Sequence, residues 1–282
     1  MNAQANPDAI VAHYSRGGLL DRLTDALRVD GADPSRPTLE QLAPYDQFHG
    51  RGIEATEEVA ALMPARPGER LLDVGSGLGG PARWFVRRFD CHVTGVDLTP
   101  EFCMVARELS QRTGLASRVA FHVGDALVLP FADATFDGAY SMNVSMNIAD
   151  KPALYREVHR VLRPGGWLLL SEVARGDGPE PEYPTPWAAS AAASSLATPR
   201  QTCDGLVAAG FEVLRLESTR AQALAFAARS REAVARGGKP PHRSVMLVHG
   251  EQAAAAMSNS ARALAEGRVE PIEVLARKVS AR

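Results

Sequence analysis

Cysteine is scarce, with only Cys91, Cys103 and Cys203 in 282 residues. An odd number without metal-like or redox spacing argues against a disulfide framework and against zinc, and reads as reduced thiols in the interior. Aromatic residues make up only 6% of the chain. No apolar run reaches the roughly 20 residues of a membrane span. The first seven residues carry neither a basic leader nor an apolar core, so a soluble, cytoplasmic protein is expected. Neither sign of charge is in excess: the formal net charge is -2 and no basic block stands out, which gives no general attraction to nucleic acid or to an anionic membrane. Small molecules are the partners expected, bound by a monomer or homodimer.

What the chain does have is 45% hydrophobic residues, enough for one sizeable core with an elaboration. From residue 66 onward, short apolar runs alternate with stripes at helical spacing. Residues 71–74, 92–96, 119–123, 136–141 and 167–173 read as strands. Phe102, Val105, Ala106 and Leu109, and later Leu154, Val158, Val161 and Leu162, mark helices between them. Such alternation specifies an α/β fold, a mostly parallel sheet with helices on both faces.

Four parts are expected. Residues 1–65 form an N-terminal helical cap, with two short helices bent at Gly17-Gly18 and a third opened by Thr56. Residues 66–220 are the core, 221–267 an Ala- and Arg-rich helical insert in two pieces, and 268–282 a final strand. His122 is expected in the core, and residues 176–186, with four prolines, form a loop able to act as a lid.

The chemistry centres on Leu71-Leu72-Asp73-Val74-Gly75-Ser76-Gly77-Leu78-Gly79-Gly80, an apolar run that breaks into glycines and resumes as a helix. Glycine is needed where a backbone turns sharply or touches a ligand. About 20 residues beyond the loop an acid, Asp97, ends the next strand, where it can bond both hydroxyls of a ribose. Loop and acid together describe a nucleotide-cofactor site, and leave an NAD(P) oxidoreductase or a cofactor-binding protein without turnover as alternatives.

The pattern Asp-x-Gly-x-Gly-x-Gly at Asp73, Gly75, Gly77 and Gly79 resembles the first motif of class I S-adenosylmethionine-dependent methyltransferases. Val96-Asp97-Leu98 resembles their ribose-binding segment, Gly124-Asp125-Ala126 their adenine-binding one, and Leu162-Arg163-Pro164-Gly165-Gly166 the turn before their fifth strand. With Asp46-Gln47-Phe48-His49, Gly52 and Thr56, the chain is most similar to the sarcosine and dimethylglycine N-methyltransferases and their relatives in specialised metabolism. The resemblance implies a Rossmann-like seven-stranded sheet and S-adenosyl-L-methionine as cofactor. It implies cofactor contacts from Asp73, Gly75, Gly77, Gly79, Asp97, Leu98, Asp125 and Ala126, to which Ser141 and Gln47 are added.

For the acceptor, His49 is the first candidate base, since imidazole titrates near neutrality. Glu172 could hold a cationic amine or orient His49, and Tyr45 could join them. Tyr14, Tyr183, Trp187 and His242 are candidate wall residues. Asn143, Met146 and Asn147 follow the fourth strand, where open parallel sheets bind ligands. Methionines and neutral amides there suit an uncharged aromatic or amide-bearing acceptor, such as an indole, methylated on nitrogen or ring carbon. Arg51 keeps a second reading open, because a free guanidinium there would pair with the carboxylate of a small amino acid.

Overall fold

The computed structural model describes residues 7–279; the expectation about a leader rests chiefly on residues 1–6, outside the described residues. In chain order the elements are α1 (Pro7–Tyr14), α2 (Leu19–Val29), α3 (Leu39–Asp46), α4 (Ile53–Leu62), β1 (Arg70–Val74), α5 (Gly80–Phe89), β2 (His92–Asp97), α6 (Pro100–Arg112), β3 (Val119–Val123) and β4 (Phe136–Met142). These are followed by α7 (Lys151–Val161), β5 (Leu162–Arg175), α8 (Pro199–Ala208), β6 (Phe211–Ser218), α9 (Arg220–Ala235), α10 (Ser244–His249), α11 (Ala253–Ala265) and β7 (Val269–Lys278).

The seven strands form one sheet in the order β3-β2-β1-β4-β5-β7-β6. The pairs from β3 to β5 are parallel, and β7 lies antiparallel between β5 and β6. Side chains alternate across the sheet with the period of two that a strand imposes. Leu72 and Val74 join the cluster under α7 and α8, whereas Leu71 joins the one under α4, α5 and α6. A third cluster packs Leu19, Leu23 and Leu27 of α2 and Leu42 of α3 against Leu78 of the glycine loop, Phe102 of α6 and Val248 of α10. That cluster seats the N-terminal cap on the ligand end of the sheet.

Several expectations are corrected. Residues 39–46, outside the three helices expected in the cap, form α3, opened by a capping box in which Thr38 Oγ1 accepts from Gln41 N and the Gln41 side chain accepts from Thr38 N. α4 begins at Ile53 after Gly52, not at Thr56, whose hydroxyl is engaged elsewhere. β5 pairs with β4 from Leu162, and residues 163–166 bulge between the first two rungs of the ladder. The insert holds three helices instead of two. His122 is exposed, because β3 is an edge strand and alternate residues face solvent. The three cysteines are free thiols, Cys91 and Cys103 buried and Cys203 half-buried. Among the described residues no helix is long and apolar enough to cross a membrane.

One buried ion pair ties these parts together. Arg83 in α5 is fully buried and donates through Nη2 to Asp46 Oδ2 at 2.8 Å and to the Leu78 carbonyl at 2.7 Å, and through Nη1 to Ala106 O and Ser110 Oγ, both at 3.2 Å. One guanidinium thus joins the end of α3, the glycine loop and α6. The packing is close: a Cβ on Gly80 would lie 2.4 Å from the Asp46 carbonyl oxygen. Removing one partner leaves the other charge buried and alone, which costs about 3–5 kcal/mol. Urea denaturation of Asp46→Ala is expected to show a loss of that order, largely recovered in Asp46→Leu/Arg83→Met. A loss of ~1 kcal/mol or less for the single variant, the range of an exposed pair, would contradict this role.

Candidate functional site

β1 lies between β2 and β4, where the strand order changes direction, and open parallel sheets bind ligands beyond the strand ends at such a point. β1 leaves the sheet into residues 75–79, and Gly75 N and Ser76 N bond back to the Val96 carbonyl of β2 at 2.7 and 3.0 Å. Gly75 has φ +75°, and a Cβ there would sit 2.3 Å from Val144 Cγ2. Gly77 has φ +51° and faces open space. Asp97 clamps the loop, its Oδ2 accepting from Gly77 N and its Oδ1 from Thr99 N, both at 2.8 Å.

In front of the loop is a cavity of about 360 Å³. Gly75, Gly77, Asp97, Leu98, Asp125 and Ala126 line it, as do Tyr14, Asn143 and Asn147. Asp125 Oδ1 accepts from Leu127 N at 2.9 Å, which fixes the turn after β3.

The charge in this region is one-sided. Burial pushes the Asp73 carboxyl up to about 8, with Asp97 adding to the rise while Tyr140 opposes it. Burial likewise raises Asp97 against the backbone donors of Thr99 and Gly77. Among the described residues no cationic side chain acts on either acid, and Asp73 Oδ2 is buried without a hydrogen-bond partner. Two desolvated acids without a counter-ion favour a ligand that brings positive charge. S-adenosylmethionine, with a sulfonium, an ammonium and a ribose diol, fits this donor set and the open face of Gly77.

A second cavity, of about 450 Å³, shares Tyr14, Phe48 and Asn143 with the first. Asn143, with φ +56°, accepts through its side-chain oxygen from Gly50 N at 3.1 Å and donates through its amide nitrogen to Ser171 O at 3.2 Å, so it joins the cap to β5. Glu172 takes hydrogen bonds from Val144 N at 3.2 Å and Ser145 N at 3.1 Å, and burial raises its carboxyl to about 7 despite these bonds and nearby Lys151. His49 is buried and also lines this cavity. Its Nε2 lies 3.0 Å from Thr56 Oγ1 and its Nδ1 3.1 Å from the Gly50 carbonyl. Burial pulls the imidazole down to about 3, so it stays neutral at ordinary pH. His242, also in the lining, bonds the Gln47 carbonyl at 2.8 Å and is pulled down to about 4 by burial.

Arg51, Met146 and Trp187 complete the expected residues that line the second cavity. Six expected residues line neither cavity. Tyr45 is buried in the cap with its hydroxyl on Asp30 Oδ2 at 2.6 Å. The Gln47 side chain accepts from Thr56 Oγ1 at 2.6 Å, and Ser141 Oγ donates to the Val74 carbonyl at 3.0 Å. Gly79 caps the start of α5, facing Phe121 and Arg83. Tyr183 packs against the cluster of Met146 and Trp187 with its hydroxyl 3.2 Å from Glu180 Oε1. Asp73 is buried in β1, one residue before the strand ends. Phe48 lines both cavities and Phe226 the second, and neither is among the candidate wall residues that the sequence offers. An aromatic inside the polar 45–52 cluster is a usable signal for Phe48; Phe226 sits on an Ala-rich helix with no apolar stripe to mark it.

Residues 72–170 match the methyltransferase domain family. Phosphoethanolamine N-methyltransferase of Triticum aestivum is 39% identical over 146 residues, 49% of this chain and 28% of that protein. The chain spans only about a quarter of the length of such plant relatives. Among solved structures, the [4+2]-cyclase SpnF has a TM-score of 0.68 at 24% identity, covering 94% of this chain and 95% of that one. Phosphoethanolamine N-methyltransferase 2 of Haemonchus contortus, solved with phosphomonomethylethanolamine and S-adenosylhomocysteine, has a TM-score of 0.70 at 19% identity, covering 93% of this chain and 60% of that one. The family matched over the core strands uses the kind of ligand that the uncompensated acids and the open glycine loop call for, and residues 72–170, which hold both, are similar to its methyltransferase domain.

Proposed function

We propose that the protein methylates an uncharged small molecule, an aromatic or amide-bearing specialised metabolite, on nitrogen or ring carbon. The observation that carries this reading is the state of Arg51. Among the described residues it is the only buried Arg or Lys in the lining of the second cavity, and it is already bonded to Glu58 at 2.7 Å with Glu273 at 3.6 Å. The other, Arg231, is exposed on α9. An amino-acid carboxylate, or the phosphate of a ligand such as the phosphomonomethylethanolamine of the Haemonchus contortus structure, would need a free buried cation. The same observation weighs against the sarcosine or dimethylglycine reading.

S-adenosylmethionine, held by Asp97, Leu98, Asp125, Ala126 and the residue 75–77 loop, with Asp73 behind them, supplies an electrophilic methyl group on a sulfonium whose leaving group is neutral. The protein's share is then positioning and water exclusion, which together can contribute about 7–11 kcal/mol. Met146 and Trp187 supply apolar walls, and Asn143, at the meeting of the cavities, offers amide contacts to a neutral acceptor. Where the acceptor must lose a proton, Glu172 is the better-matched base: its raised carboxyl titrates near working pH, whereas His49 is held neutral and acts as a hydrogen-bonding wall residue.

Incubation with S-adenosylmethionine and a panel of indoles and amines, read by mass spectrometry, is expected to yield products heavier by one CH2; absence of any such product across a wide panel counts against the reading. Calorimetry with S-adenosylhomocysteine is expected to show affinity falling roughly 10- to 100-fold in Asp97→Ala, the worth of hydrogen bonds to a charged group, and little change in His49→Ala. Equal losses in the two would mean that His49 supports the cofactor site.

The pH profile separates the two bases. A carboxyl raised to about 7 is in its proton-accepting form only above that value, so kcat for an acceptor that loses a proton should climb as pH passes through about 7. Glu172→Gln should remove that limb and lower kcat by roughly 10²–10⁴-fold. A profile flat from pH 5 to 9 would assign the proton to another group.

A further inference from the structure

The acceptor cavity continues well past its polar groups. Asn143 lines both cavities, and Glu172 is bonded to the backbone of Val144, which lines the first, so the polar end is the one that meets the cofactor cavity. The opposite wall comes from the insert: Ala223, Phe226 and Ala227 of α9, and Met257, Ala261 and Leu264 of α11. No residue of either helix lines the first cavity. Met257, Ala261 and Leu264 recur at i, i+4 and i+7, and Ala223 and Ala227 at i and i+4, so each helix turns one face to the cavity. Where two packed helices usually meet through large apolar side chains, three of these six positions are alanine, and the space that remains is within the size range of clefts that enclose drug-sized ligands. Ser230, one turn beyond Ala227, has a buried hydroxyl with no partner and also lines this cavity.

We propose that α9 and α11 form an apolar subsite for the body of the acceptor, and that this insert selects an uncharged molecule of at least two ring systems with a neutral polar group within reach of Ser230. The inference rests on the methyltransferase reading above and extends it from the reacting end to the whole acceptor. A compact zwitterion or phosphorylated amine would leave the α9/α11 wall uncovered and bring a charge that Arg51, already paired, does not answer.

The test uses N-phenyl-1-naphthylamine, a neutral two-ring-system amine whose fluorescence rises when it leaves water. Wild-type protein is expected to bind one equivalent saturably, and Ala227→Phe and Ala261→Phe, which fill the subsite, to weaken that binding tenfold or more each. Both variants should keep wild-type affinity for S-adenosylhomocysteine within about twofold, which also reports that they fold. Millimolar sarcosine or phosphoethanolamine should not displace the probe. Failure of the wild type to bind it, undiminished binding by both filled variants, or displacement by either charged amine overturns the proposal. Failure of S-adenosylhomocysteine to bind the wild type would instead overturn the cofactor reading, since the probe titration does not depend on it.

Discussion

Buried acid without a cationic partner is the constraint around which this molecule is arranged. Asp73 lies one residue before the end of β1 and Asp97 ends the adjacent β2, and burial raises the carboxyl of each with no cationic side chain among the described residues to offset it. Such a pair costs stability and persists where a ligand repays the cost. The neighbouring backbone is built to match: Gly75 and Ser76 are stitched to β2, Asp97 holds Gly77, and Gly77 leaves its face open. The Arg83–Asp46 pair fixes that loop from behind, so the same α3 end that leads into Phe48 and His49 is held in register with the loop. Cofactor cradle and cap are therefore one mechanical unit.

From this unit the acceptor side follows. Phe48, Tyr14 and Asn143 stand where the two cavities adjoin, each from a different part of the chain. Tyr14 is held there by donating to Asn147 Oδ1 at 2.9 Å, and Asn147 in turn bonds the Trp187 carbonyl. Burial and the Asp97 charge both raise the Tyr14 hydroxyl, so it stays protonated and serves as a donor. The balance of acid and base differs from what residue type suggests. His49, buried and close to Arg51, loses basicity, while Glu172, buried near the ligand end of β5, gains it.

The glycine-loop end of the candidate site was legible in the sequence because its pieces are local. A strand, a glycine loop and an acid at the end of the next strand stand within 25 residues, and the backbone itself does much of the work. The fold followed from hydrophobic periodicity for the same reason, including the last strand, although nothing in residues 269–278 announces that they slot between β5 and β6. Tyr45, Gln47 and Ser141 misled because each carries the right functional group and spends it on a neighbour: Asp30, Thr56 and the Val74 carbonyl. α3 was hidden by Pro44 within it and by a capping box preceded by a polar loop. Phe226 and the α9/α11 wall were hidden for a different reason. A cavity wall made of alanine is defined by what is missing, and absence of side-chain volume has no periodic signature.

A crystal structure of the chain grown with S-adenosylhomocysteine decides whether the buried acids and the glycine loop hold the cofactor. Adenine is expected beside Leu98 and Ala126, the ribose hydroxyls on Asp97, the ammonium on the Asp73 side of the 75–77 loop, and the sulfur directed at the opening framed by Tyr14, Phe48 and Asn143. Ligand density in the α9/α11 cavity instead, or a sulfur directed away from that opening, would contradict this placement.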